Sequence, residues 1–448
     1  MKLTRRTFLK TVAAASGAAW LDPLHRRAAA LPFQKRALPP PGESGIEHVV
    51  VVMMENRSFD HQLGWLPNAD GMQAGLTYLD PDGVPHGTYP LAPDFTGCGH
   101  PDPTHGYDGG RIQLNSGAMD GFLLSPPNDL YSIGYYVECD RTFYSGMARN
   151  FTALDRYFCS ILGPTFPNRF FMHAAMTDRL ENTFDLATMT TIWDRLADAG
   201  VSGKYYHDGI LAYLSLWGPD RYRDISFASN VFFADAASGN LPAVAFVDPN
   251  FTLFDDQPGN ANDDHPHADI RAGEAFLGRI YRALTQGPQW RNTVLVVNYD
   301  EWGGFFEHVA PPRADAPDLE HPVDMDLVDG KALLGFRVPT VVVSPFTRGD
   351  PKNPRVNSTV FDHTSVLKMI EWRWGLDPLT GRDASDDIGN LAEAMDFDNP
   401  QPDVPDLPVI DPPPPVDCTV SGSSSSTETC FGQLARSELF KAWQIQRR

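Results

Sequence analysis

The chain has 448 residues, with 36 Lys and Arg against 57 Asp and Glu and a formal charge of −21 at pH 7. That surplus of carboxylates argues against nucleic-acid binding and against docking on anionic lipid, both of which need a basic surface. The length exceeds the usual size of a single core, so one large α/β domain with insertions, or two domains, is expected.

Residues 1–30 read as an export signal. Thr4-Arg5-Arg6-Thr7-Phe8-Leu9-Lys10 is a charged start, 11–21 a short, weakly apolar run, and Ala28-Ala29-Ala30 a small-residue cleavage site. Arg5-Arg6 with Phe8, Leu9 and Lys10 resembles a twin-arginine signal. The twin-arginine machinery is therefore an expected partner, and the periplasm or the exterior the expected location. The apolar run is too short and too rich in Ala, Ser and Gly to cross a bilayer, and no later stretch approaches a span of about 18 apolar residues. Cleavage makes the chain more acidic still, since it removes six Lys or Arg and one Asp.

A Pro/Gly linker over 31–44 precedes a catalytic domain expected over 45–400. Residues 49–54, Val-Val-Val-Val-Met-Met, predict a strand buried on both faces, as in a parallel sheet, and run straight into Glu55-Asn56. From 67 to 121 the chain is rich in Gly, Pro, Asp and His with little periodicity, which predicts long loops over an active face. Gly163-Pro164-Thr165 is a tight turn into a helix predicted over 168–176. A helix over 191–199, strands over 203–206 and 243–247, and a helix over 271–285 follow. Residues 293–299 predict a second doubly buried strand, ending at Asp300-Glu301 and then Gly303-Gly304. A strand over 338–343 and a helix over 365–374 complete the alternation, which argues for α/β with a mainly parallel sheet flanked by helices.

Beyond 400 the composition shifts to a tail over 401–448, with prolines at 412–415, a serine run over 421–426 and a short helix predicted over 434–446. The five cysteines show no metal-finger spacing. Cys418 and Cys430 flank the serine run and are the expected disulfide. Cys98 and Cys139 are left unassigned, and Cys159 reads as buried filler.

In parallel sheets ligands sit outside the carboxyl ends of the strands. Glu55, Asn56, Asp300 and Glu301 are thus placed to hold one cation or a polar substrate, although each pair could instead cap the turn that follows it. Thr165, near a helix N-terminus, faces free N–H groups and the positive end of a dipole, a natural place for phosphate; the bland alternative is a plain N-cap. A threonine hydroxyl needs a base or a metal to become a nucleophile. Oxygen-only ligands favour a single hard divalent ion such as Ca²⁺, Mg²⁺ or Mn²⁺, with iron possible.

Three blocks carry a family resemblance. They are Ile46-Glu47-His48-Val49 through Met54-Glu55-Asn56-Arg57-Ser58-Phe59-Asp60-His61, then Gly163-Pro164-Thr165-Phe166-Pro167-Asn168-Arg169, then Tyr299-Asp300-Glu301-Trp302-Gly303-Gly304-Phe305-Phe306-Glu307-His308-Val309. Together with Asp102-Pro103-Thr104-His105, Met119-Asp120-Gly121-Phe122 and His265-Pro266, they resemble the bacterial phospholipase C and acid phosphatase A phosphoesterases, whose fold is related to the alkaline phosphatase superfamily. The resemblance runs from about residue 44 to 375.

It implies that Glu55, Asn56, Asp300 and Glu301 ligate a metal and that Thr165 is the nucleophile and touches that metal. It also implies that His105, His265 and His308 bind the phosphoryl group or protonate the leaving oxygen, with His267 a lesser candidate. The family often has His after Asp-Glu; Trp302 stands there instead and removes one polar contact. The implied substrate is a phosphate ester or phospholipid, and the implied activity is that of a phospholipase C. The alternatives are an acid phosphatase acting on small phosphomonoesters, a sulfatase (echoed by Thr165-x-Pro167-x-Arg169, but threonine cannot form the required aldehyde) and a non-catalytic phosphate- or metal-binding protein.

Overall fold

The computed structural model describes residues 37–208, 213–252, 260–324, 326–415 and 418. The export signal, the serine run, Cys430 and the helix expected over 434–446 lie outside them. The strands of the main sheet are β1 (His48–Met54), β2 (Thr152–Leu154), β3 (Gly203–His207), β4 (Ser226–Ala228), β5 (Val244–Val247), β6 (Thr293–Tyr299), β7 (Val341–Val343) and β8 (Val356–Asn357). They lie in the order β8-β2-β7-β6-β1-β5-β3-β4. Only β7 is antiparallel to its neighbours, β2 and β6; every other pair is parallel. The fold is therefore α/β with a mainly parallel sheet, as the strand and helix alternation predicts. All residues of β1 and β6 are buried, which is why neither run alternates apolar with polar. The strands absent from the sequence reading, β2, β4 and β8, have two or three residues each, too few to leave a pattern.

Among the described residues the α-helices of five or more residues are α1 (Phe59–Leu63), α2 (Tyr107–Leu114), α3 (Thr142–Asn150), α4 (Thr165–Ala174), α5 (Ile192–Asp198), α6 (Ser229–Ser238), α7 (Ile270–Gln286) and α8 (Thr364–Trp374). The longest, α7, is amphipathic: Ile270, Leu277, Ile280, Tyr281 and Leu284 are buried, and the Asp269 side chain caps its start by accepting from Arg271 N. Among the described residues no helix is long and apolar enough to cross a membrane.

Two expectations are corrected. The stretch 67–121 is not all loop, since α2 lies within it. Its sequence, Tyr-Asp-Gly-Gly-Arg-Ile-Gln-Leu, hides the helix because Gly110 is a contact point: a Cβ there would lie 2.8 Å from the Leu162 side chain and 2.9 Å from Trp302. Second, Cys418 is bonded to Cys98, with Cα atoms 5.5 Å apart, and not to Cys430. The reason is the course of the chain after 400. Trp290 Nε1 donates to Pro402 O (2.9 Å), Tyr281 OH donates to Pro405 O (2.9 Å) and Leu407 is buried in the core. The tail is thus laid along the domain and delivered to the loop carrying Cys98, where spacing in sequence favours a closed local loop.

Candidate active site

β1 and β6 are parallel neighbours in the register Met54 to Tyr299, so Glu55 and Asp300 leave the sheet side by side. Asp300 N donates to Met54 O at 3.1 Å. Asp300 Oδ1 then accepts from Asn56 N (3.0 Å) and Glu301 N (2.8 Å), tying the two strand ends together. Asn56 takes a positive φ of 22°. Gly303, at φ +63°, packs so closely on it that a Cβ would come 2.2 Å from Asn56 O, and Gly304 abuts Thr104 O in the same way. The glycine pair is therefore what lets the Asp300 block reach both Asn56 and the loop of Asp102 to His105.

All ten residues of α4 are buried, and Thr165 is the first of them. Its Oγ1 donates to Glu55 Oε2 at 3.3 Å. Four residues on, and so on the same face of the helix, Arg169 donates to Glu55 Oε1 through Nε (3.1 Å) and Nη2 (2.8 Å) and lies 3.5 Å from Asp300 Oδ2. Its guanidinium stacks over Tyr213 at 4.4 Å and Phe251 at 4.9 Å, and Asp248 lies 3.8 Å away. Arg169 belongs to the Thr165 motif but has no role assigned from sequence; its i+4 spacing from Thr165 is the one local signal of it. His363, also missed, donates from Nε2 to Asp300 O at 2.7 Å, and burial pushes it down to about 4, so it is neutral.

One guanidinium thus stands among three buried carboxylates, Glu55, Asp300 and Asp248, with Glu301 next in line after Asp300. Burial, then the charge of Glu55, pushes Asp300 up to about 6. Burial and the adjacent Asp300 raise Glu301 well above the ordinary range. Asn56 Oδ1, Asp300 Oδ2 and Glu301 Oε1 are buried without a hydrogen-bond partner among the described residues. Orphaned oxygens of this kind, on carboxylates that outnumber their one guanidinium, are what a hard divalent cation would satisfy.

Of the predicted histidines, two join this site. His105 Nε2 lies 4.0 Å from Glu301 Oε1, and His265 Nε2 lies 3.8 Å from Asp102 Oδ2. Burial drives His265 down to about 4 against the pull of Asp102. His267 contacts His100 O (2.9 Å) instead. Trp302 is fully buried and donates to Gln113 Oε1 at 2.6 Å, so this departure from the family pattern is absorbed by the core.

His308 is not brought to the group. It lies against Asp60 (2.5 Å) and Asp70 (3.4 Å), beside Glu307, while Arg337 Nη2 holds Glu307 (2.6 Å) and Asp60 (3.3 Å). Burial alone would lower His308, but its bonds to Asp60 and Asp70 and the carboxylate charges outweigh that and push it up to about 9. Because the folded value exceeds an unfolded value of about 6.5, this stabilisation is complete below pH ~6.5 and is lost as pH rises through about 9. Burial raises Glu307 to about 7, which adds a loss of the same sign between its unfolded value of about 4.3 and 7. Stability is expected to fall on the order of 2 kcal/mol between pH 6.5 and 9.5 through His308 alone. Urea melts of His308→Gln should show that part of the fall removed; an unchanged slope would disprove it.

The profile of the phosphoesterase family matches residues 46–377. The chain belongs to the phosphoesterase family. It is accordingly a hydrolase of ester bonds. Phospholipase C A of Mycobacterium tuberculosis is similar to this phosphoesterase at 31% identity over 470 residues, covering 89% of this chain and 86% of its own. Non-specific phospholipase C6 of Arabidopsis thaliana is 33% identical over 386 residues, covering 76% of this chain and 71% of its own. Among solved structures, a protein of the alkaline phosphatase superfamily from Vibrio parahaemolyticus aligns over 86% of this chain and 79% of its own, at 11% identity and a TM-score of 0.39.

Proposed function

We propose that this phosphoesterase is a metal-dependent enzyme of phospholipase C type that works through Thr165. The observation that carries the reading is the Thr165 hydroxyl, 3.3 Å from Glu55 at a buried helix start, beside the orphaned oxygens of Asn56, Asp300 and Glu301. Glu55, Asn56, Asp300 and Glu301, with the Thr165 hydroxyl, would hold one hard divalent cation. When bound, that ion supplies positive charge to the phosphoryl oxygens and makes the hydroxyl more acidic.

Thr165 Oγ1 attacks phosphorus while its proton passes toward Glu55, and the alcohol of the ester departs. Water then cleaves the phosphoryl-threonine, restoring the hydroxyl and releasing the phosphorylated head group. The positive end of α4 favours the charge that develops at Thr165. His105 and His265 serve the phosphoryl and leaving oxygens, whereas His308 is committed to its ion pairs. The diesterase assignment draws on the names of the relatives, which are phospholipases C.

The test is turnover of a chromogenic phosphocholine ester and a chromogenic phosphate monoester, with and without chelator. Diester hydrolysis that chelator abolishes and divalent cation restores supports the proposal. Hydrolysis of the monoester alone would make the protein a phosphatase, and no turnover of either with cation present would refute the catalytic reading. We also propose twin-arginine export to the periplasm or beyond, from Arg5-Arg6 and Phe8-Leu9. Changing both arginines to lysine should leave precursor in the cytoplasm, and normal export of that variant would refute the route.

A further inference from the structure

Arg57 follows Glu55 and Asn56 in the turn after β1, and the roles of those two residues leave it unexplained. It is fully buried, and among the described residues its guanidinium bonds only to uncharged groups. Nε and Nη2 both donate to Asp264 O, at 2.8 and 2.6 Å. Nη1 donates to Tyr131 OH (3.2 Å) and meets His61 Nε2 (3.3 Å), an imidazole that burial holds well below its ordinary value. The Phe305 ring covers the group at 4.5 Å. A guanidinium buried without a carboxylate is costly, so stability alone does not account for an arginine here. What it grips is informative. Asp264 takes a φ of +76°, a conformation that residues other than glycine keep only where the surroundings impose it. Its Oδ2 accepts from Arg141 Nη2 (2.8 Å) and Tyr299 OH (2.5 Å), so backbone and side chain are both held.

The next residue is His265. Its backbone N donates to Asp263 Oδ1 (3.1 Å), and the same carboxylate takes Thr252 N and Oγ1, both at 2.7 Å. Glu55 N donates to Asp263 O at 2.8 Å. The turn 55–57 is therefore fastened to 263–265 at two points, by Glu55 N and by the Arg57 fork. That double fastening sets the backbone carrying the His265 ring against the Glu55 carboxylate. The ring itself is held weakly: Nδ1 meets the carbonyl of the following residue, and Nε2 is 3.8 Å from Asp102, beyond hydrogen-bond length. We propose that Arg57, acting through Asp264, is the positioning residue that places His265 at the phosphoryl group. Lysine is no substitute, because an ammonium lacks the planar pair of N–H groups that brackets one carbonyl oxygen. His265 has that use only if the phosphoesterase reading holds, whereas the clamp stands without it.

The first test needs no turnover. The full chain is treated with diethyl pyrocarbonate, and the labelling rate of each histidine is read by peptide mass spectrometry. In Arg57→Lys, His265 should label at least about fivefold faster than in the wild type, as local release predicts, while the likewise buried His173 and His363 stay slow. The nearly isosteric Asp264→Asn should do the same, and it serves should Arg57→Lys fail to fold. No gain at His265, or equal gains at all three histidines, would overturn the proposal, the second because it would mean a general loosening. The second test is turnover of a chromogenic phosphocholine ester. Arg57→Lys should lower kcat by about tenfold or more, with KM and melting temperature close to wild type, and should cost nothing further in a His265→Ala background. Equal losses in both backgrounds would show that Arg57 does not act through His265. A wild type that hydrolyses no ester would refute the proposed function, and the labelling rates would still decide whether Arg57 holds His265.

Discussion

Thr165→Ala is expected to lower turnover by a factor on the order of 10³ or more, with folding and cation content close to wild type. The nucleophile is removed, and neither the remaining groups nor water replaces it. The structure separates this from a capping role. Thr165 is the first residue of α4, and its hydroxyl is bonded to Glu55 instead of to a backbone N–H of the first turn. Losing that bond should cost only about 1 kcal/mol, the net worth of one hydrogen bond. Thr165→Ser keeps the oxygen and should retain measurable turnover. A Thr165→Ala protein that is destabilised yet hydrolyses ester near the wild-type rate would return the residue to structural duty.

Arg169→Met should produce the largest loss of stability at the site, about 3–5 kcal/mol in the metal-free protein near neutral pH. Methionine roughly fills the space but leaves Glu55, Asp300 and Asp248 without their common counter-charge. The loss should shrink on acidification. Asp300 already stands near 6 when folded, above its unfolded value, so its charge opposes folding as pH rises through about 6 and ceases to do so below about 4. Divalent cation should offset part of the loss by supplying the missing charge. Denaturant melts at pH 5 and 7.5, with and without cation, check this. A change below about 1 kcal/mol at pH 7.5 in chelator would mean that Arg169 is not the counter-charge of the site.

Arg169 also illustrates where reading the sequence stops. Its i+4 spacing sets it on the face of Thr165, but a helix whose ten residues are all buried has no polar face, so nothing local says which carboxylates its single arginine will meet. The partners come from β1, β6 and the residue after β5, brought together only by strand order. His308 is the converse. Its motif suggests a place among the reacting groups, yet Asp60, Asp70, Glu307 and Arg337 surround it, and Asp60 and Asp70 lie more than 230 residues away in sequence. Trp302 belongs with it, since a motif position often given to histidine turns into the core and bonds Gln113.

What the sequence by itself determined is what short-range pattern encodes. Continuous Val-rich runs can be stable only as doubly buried strands, so β1, β6 and their acidic ends were legible, as was the turn into α4 before Thr165. Tertiary structure alone decided that β1 and β6 are neighbours in the register that sets Glu55 beside Asp300. It also decided that His105 and His265 face Glu301 and Asp102 while His308 does not, and that Cys418 bonds Cys98, 320 residues away. Residue periodicity reports which face of an element is buried. Which distant element covers that face is set by packing the whole sheet, and the charges and thiols then pair with whatever that packing brings within reach.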